Sequence, residues 1–166
     1  MSLSISATTS LSLSYSLSES NGSETITLAD SASSSKAYSY GSNYITNASS
    51  MTGIISSGSS TQIDLYALDQ TTFGTTQTVQ FTGIKNFTVL NTSTAEGYDF
   101  AIAATGSNAC TNLFNGGSGN LLVKPYSCFS YNDPYSGFVV STSQRYVYLD
   151  DAGNGAGYKL IVFGLD

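Results

Sequence analysis

The sequence predicts an all-β fold: an antiparallel β-sandwich, jelly-roll-like, preceded by an extended N-terminal strand or arm. Three observations carry this. Short runs rich in Val, Ile, Phe, Tyr and Thr recur along the chain, with turn signals roughly every 8–12 residues. No helical periodicity persists beyond about ten residues. Hydrophobic residues make up 40% of the 166 residues, enough for a real core, and a disordered chain would be poorer in Tyr, Phe and Ile.

Residues 2–18 (SLSISATTSLSLSYSLS) alternate almost without interruption. Leu3, Ile5, Leu11, Leu13, Tyr15 and Leu17 fall on one side and serines on the other, the period of a strand with one wet face. Left bare, such a strand invites aggregation. It needs a partner, either in its own sheet or on another subunit. These six residues are therefore the candidate subunit-contact set.

Asn21-Gly22 marks a turn. Residues 24–28 (ETITL) read as a short strand and 29–35 (ADSASSS) as a loop. Residues 37–46 read as two short strands about Gly41, and 56–60 (SSGSS) as a linker. More than a third of the first sixty residues are serine, after which the bias fades. That shift divides the chain into a Ser-rich N-terminal β segment, 1–60, and a β-sandwich domain, 61–166.

In the second part, residues 61–68 alternate with Ile63, Leu65 and Ala67 on one side, and 75–81 form the next strand. The stretch 82–106 is central. Strands at 84–90 and 98–103 flank a polar turn, with Phe87 and Val89 pointing one way and Ile84 and Leu90 the other. Tyr98, Phe100 and Ile102 share a face. Apolar residues on both faces place a strand inside a two-layer protein, and residues 158–164 (YKLIVFG) have the same character. Between them come an apolar anchor at Leu113-Phe114, a turn at 115–120 (NGGSGN), and short strands at 121–124, 126–131, 137–140 and 146–149.

Composition excludes several functions. Charged residues are only 10% and net charge is −6, with no Lys/Arg cluster to hold nucleic acid or an anionic membrane. No run approaches the ~18 apolar residues of a membrane span. The start lacks the basic and apolar regions of a signal peptide, so synthesis in the cytoplasm is expected. Two cysteines, Cys110 and Cys128, are too few for a disulfide framework. Two small buried residues in a protein made in a reducing cytoplasm is the reading preferred to one bridge worth roughly 3 kcal/mol.

Histidine is absent, which removes the usual general base and zinc ligand and rules out a Ser-His-Asp triad. Asp64 and Asp69, and Glu96 and Asp99, offer no opposed carboxylate pair that sequence alone can nominate. Asp150-Asp151-Ala152-Gly153-Asn154 is rich in oxygen ligands but lacks Ca²⁺-loop spacing, and a turn is the better reading. Tyr146 and Tyr148, among twelve tyrosines, alternate as strand residues do and point to core or subunit contacts before a sugar platform. No catalytic residue, cofactor or metal is expected.

The order of the C-terminal half carries a resemblance. A strand Ile84-Lys-Asn-Phe-Thr-Val-Leu90 leads into Asn91-Thr92-Ser93, then a Tyr-Asp-Phe-Ala-Ile strand at 98–102 and a glycine-rich break. Gly119-Asn-Leu-Leu-Val-Lys-Pro125 follows, and Tyr158-Lys-Leu-Ile-Val-Phe-Gly164 closes the chain. Over residues 80–166 this resembles small β-sandwich virion proteins of tailed bacteriophages. The resemblance implies a capsid decoration or cement subunit with no catalytic residues. It implies a major capsid protein as partner, a homo-oligomer with a trimer favoured, and a place on the capsid surface. The alternative is a carbohydrate- or receptor-binding module of a phage tail or fibre.

Overall fold

The computed structural model describes residues 6–21, 24–39, 47–72, 75–133, 135–151 and 153–166. Every regular element among them is a strand except a 3-10 turn at Thr111–Phe114. In chain order the strands are β1 (Ser6–Asn21), β2 (Glu24–Ser39), β3 (Asn47–Ile54), β4 (Ser60–Asp64), β5 (Ala67–Thr72), β6 (Thr75–Gln80) and β7 (Gly83–Asn91). They continue as β8 (Phe100–Ala103), β9 (Leu121–Val123), β10 (Cys128–Asn132), β11 (Phe138–Val139), β12 (Tyr146–Asp151) and β13 (Gly157–Leu165).

Two antiparallel sheets form the sandwich. The first runs β10-β7-β13-β3, with β11 also paired to β7; the second runs β4-β12-β8-β9. β10 and β11 are one edge strand, interrupted. Asn132 faces Asn86 and, after an excursion at 133–137, Phe138 faces Ile84 on the same neighbour. The chain passes back and forth between the layers, except that β8 and β9 form a pair within the second sheet, and its first sandwich strands, β3 and β4, lie beside its last, β13 and β12. A folded-over ribbon of eight strands wound this way is a jelly roll. β1–β2 and β5–β6 are hairpins that each form a two-stranded sheet of their own.

The core lies between the layers. Phe87, Val89, Leu160 and Val162 of the first sheet and Phe100, Ile102, Val147 and Leu149 of the second are buried within it. Each contributes roughly 2 kcal/mol relative to an exposed position. The two inner strands of the first sheet are β7 and β13, as their two-sided apolar character implied.

One expected orientation is reversed. The register between β7 and β13 slips so that Phe163 faces Asn86 while Gly164 faces Ile84, leaving Lys85 as an extra residue. This bulge turns Ile84 back toward the core with Phe87 and Val89. Leu90 alone of the expected outer pair is exposed. Gly164 makes the slip possible, because a Cβ there would fall on the Gly83 carbonyl oxygen.

Other differences have equally local causes. Residues 29–35 continue β2 instead of looping, since β1 offers a ladder partner to every residue from Glu24 to Ser39. Pairing overrides the weak strand propensity of Ser and Ala. Residues 40–46, which include the expected break at Gly41, lie outside the described residues. The 56–60 segment is a tight turn in which Ser59 N–H and Oγ both donate to the Ser56 carbonyl, at 3.0 and 2.6 Å. Strands β7 and β8 belong to different sheets, so 92–99 is a crossover.

Candidate functional surfaces

Four crossovers lie at one end of the sandwich: 55–59, 92–99, 124–127 and the one that follows β12, described from Gly153 to Ala156. Asp151 joins the first of these to the last. Its Oδ2 accepts N–H groups from Gly58 (3.0 Å), Gly153 (2.8 Å) and Gly155 (3.0 Å). Burial opposes its ionisation, but backbone N–H donors, including that of Ala156, outweigh it and hold the carboxyl below the ordinary aspartate value. Ser57 Oγ donates to the Gly153 carbonyl, and Asn154 Nδ2 donates to the Gly97 carbonyl at 2.6 Å. The Asp150-Asp151 sequence thus builds a turn, and Asp151 uses its charge on backbone amides. Among the described residues no group of three or more His, Cys, Asp or Glu side chains is placed to share a metal.

A shallow groove of about 400 Å³ opens beside this end, lined by Gly53, Gly155, Gly157, Thr52, Thr92 and Tyr158 with Ile54 at its rim. Gly53 lies against the Tyr158 ring, where a Cβ would come within 2.7 Å of the phenol oxygen. No charged side chain lines the groove.

The outer face of the second sheet is chemically richer. On β12, Val147 and Leu149 are buried in the core, so Tyr146, Tyr148 and Asp150 project outward, each half-buried. On neighbouring β4, Gln62 faces Tyr148 and Asp64 faces Tyr146. Gln62 Nε2 donates to the Tyr148 hydroxyl at 2.6 Å. Arg145 Nε donates to Asp64 Oδ1 at 2.9 Å, and its terminal nitrogen pairs with Asp64 Oδ2. This fork raises the arginine pKa further and fixes the guanidinium in place. Its carbon lies 5.0 Å from the Tyr146 ring centroid and 5.4 Å from that of Tyr66, within cation–π range of both. Tyr146 and Tyr148 therefore sit on the sheet's outer face and not in the core, which was one of the two placements that strand alternation favoured.

Three of the four acids that offered no opposed pair in sequence are engaged with separate partners. Asp64 holds Arg145, Asp69 accepts from Thr78 Oγ1 at 2.8 Å, and Asp99 pairs with Lys124 at 3.5 Å. Both cysteines are unpaired; Cys110 is buried as expected, but Cys128, expected to be buried too, is exposed on the edge strand β10. Of the six candidate contact residues, Leu3 and Ile5 lie outside the described residues. Leu11, Leu13, Tyr15 and Leu17 lie in β1, opposite Ser34, Ala32, Asp30 and Leu28 of β2.

No protein-family model matches this chain, and no curated protein matches it either. Its class rests on its own topology, that of a jelly-roll β-sandwich carrying a long N-terminal hairpin.

Proposed function

We propose that this chain is a virion structural protein: a cement or decoration subunit that stabilises a phage head shell through inter-subunit β contacts. In this reading it is made in the host cytoplasm, assembles as a homo-oligomer, most simply a trimer, and sits on the capsid surface against the major capsid protein. It works by covering and joining surfaces and performs no reaction.

The observation that carries the reading is the β1–β2 hairpin. Its strands are 16 residues each and pair along their whole length in a sheet separate from both sandwich layers. At 3.3 Å per residue it reaches roughly 50 Å. A two-stranded ribbon is marginal by itself in water and needs a third strand or an apolar partner surface. The sequence alternation gives it one leucine-bearing side for such a partner. Strand addition and burial of an apolar side are the means by which subunits are clamped without catalysis.

The test keeps the full chain and replaces Leu11, Leu13 and Leu17 with Ser together. Loss of co-sedimentation with phage heads, of their heat resistance and of the oligomer by light scattering is expected, with the sandwich still folded. Unchanged oligomer mass and head binding would refute the proposal.

A further inference from the structure

We propose that the outer face of the second sheet is a binding site for a neutral polysaccharide, with Tyr146 and Tyr148 as stacking rings and Gln62, Asp64 and Arg145 as hydrogen-bonding groups. The site is separate from the N-terminal hairpin and does not rest on the cement reading.

Position is the first argument. Tyr146 and Tyr148 stand two residues apart on β12, a spacing of roughly 7 Å along the strand, so both can lie against one short run of a sugar chain. The register places Ala103 beside Tyr148 and Ala101 beside Asp150, and Leu122 beyond Ala101. Ala103 is buried beside Tyr148, Ala101 is half-buried beside Asp150, and Leu122, 57% exposed, continues the apolar strip outward. A sugar ring has an apolar C–H face and a polar rim. This surface presents rings and methyl groups with hydrogen-bonding groups along the β4 side.

Preorganisation is the second. The Asp64 fork and two flanking rings hold Arg145, and Gln62 holds the Tyr148 hydroxyl. Side chains ordered before binding spare the ligand much of the usual entropic cost. Gln62 keeps its carbonyl oxygen and a second N–H, and the Tyr148 hydroxyl keeps its proton to donate. Sugar hydroxyls both donate and accept, and so match this mixed set.

Charge selects the class of polymer. Asp64 and Arg145 neutralise each other, leaving Asp150 as the net charge of the face on a chain of net charge −6. An acidic polymer is repelled and a neutral one is not.

The experiment is affinity electrophoresis of the full chain through gels containing laminarin, amylose, mannan or xylan, with alginate as the acidic comparison. Retardation by at least one neutral polymer and none by alginate is expected. Tyr148→Ala should weaken binding at least tenfold, Tyr148→Phe no more than about threefold, and the Leu11/Leu13/Leu17→Ser chain not at all. Should Tyr148→Ala fail to fold, Ala101→Arg, at a half-buried position beside Asp150, is expected to abolish retardation in its place. The proposal is overturned if no neutral polymer retards the wild-type chain, if alginate alone does, or if the substituted chains bind like wild type. It is equally overturned if Tyr148→Ala changes oligomeric mass, which would identify the face as a subunit contact.

Discussion

Asn91, the last residue of β7, donates its side-chain amide to the Val123 carbonyl of β9 at 3.0 Å, and so ties the first sheet to the edge of the second. The same nitrogen donates to the Tyr98 carbonyl at 2.7 Å, and Oδ1 accepts from Ser93 N–H at 2.9 Å. Its backbone N–H donates to the Ser127 carbonyl at 2.9 Å. One side chain, 2% exposed, thus satisfies two backbone groups of the 92–99 crossover and one of β9, while the residue's own backbone N–H reaches the 124–127 crossover.

Replacing Asn91 with Ala should destabilise the fold by about 3 kcal/mol, because two carbonyls and an N–H lose their partners in a buried place. Asn91→Asp should cost at least as much at neutral pH, since a carboxylate cannot donate to Tyr98 and Val123. Urea unfolding of the two variants checks both expectations. A midpoint within about 0.5 kcal/mol of wild type in either would show that the crossovers hold without this link.

The excursion at 133–137 rests on Gly137. Its φ is +66°, and a Cβ there would meet the Ile84 carbonyl. Asp133 forms the turn by accepting Tyr135 N–H at 2.8 Å and Ser136 N–H at 3.3 Å, while its own N–H donates to the Lys85 carbonyl at 2.9 Å. Gly137→Ala should therefore cost about 3 kcal/mol, from left-handed strain and displacement of the β11 edge. Tyr135→Ala, at an exposed tip, should stay within about 0.5 kcal/mol. Equal midpoints for the two would refute this account.

Much of this architecture is legible from residue order, and the exceptions share a cause. Alternation puts Phe87 with Val89, and Leu160 with Val162, on one side of their strands because each belongs to an uninterrupted run of the two-residue period. Ile84 escapes that rule, since an extra residue at Lys85 is decided by where β13 slips, some eighty positions away. The tyrosines of β12 escape it for another reason: period two says that 146 and 148 share a side but not which side faces water. That is settled by Val147 and Leu149 filling the core, so the neighbours' identity is the signal to use. The cluster of Gln62, Asp64, Arg145 and Tyr148 has no short-range signature, because its members meet only through β4–β12 pairing. Asp151 was visible as a turn residue, but its role across two loops was not.

The two thiols should differ sharply in reactivity. Cys110 is fully buried, and loss of solvation pushes its pKa up to about 11 despite backbone hydrogen bonds from Leu113 and Asn112 that act the other way. Cys128 is exposed on β10 opposite Leu90. At pH 8 a disulfide reagent such as Ellman's should titrate one thiol in the native protein and the second only after unfolding. Rapid reaction of both in the native state would show that the core opens readily around Cys110.

Acid stability should depend on Asp151. Its Oδ1 is buried without a hydrogen-bond partner among the described residues, which disfavours charge. The N–H groups converging on Oδ2 favour it more strongly, so the folded pKa lies below the ordinary aspartate value of 3.8. A depressed folded pKa contributes stability that is fully present above the unfolded pKa and is lost as pH falls through the folded one. Asp151→Asn keeps an acceptor but no charge, so it should melt at a lower temperature than wild type from about pH 5 upward. The difference should shrink below pH 4 and vanish once the wild-type carboxyl is protonated. Comparing the pair at each pH cancels the titration of the other acids. A gap that stays constant down to pH 2 would mean that Asp151 acts through shape alone, and that the two crossovers it bridges are joined without its charge.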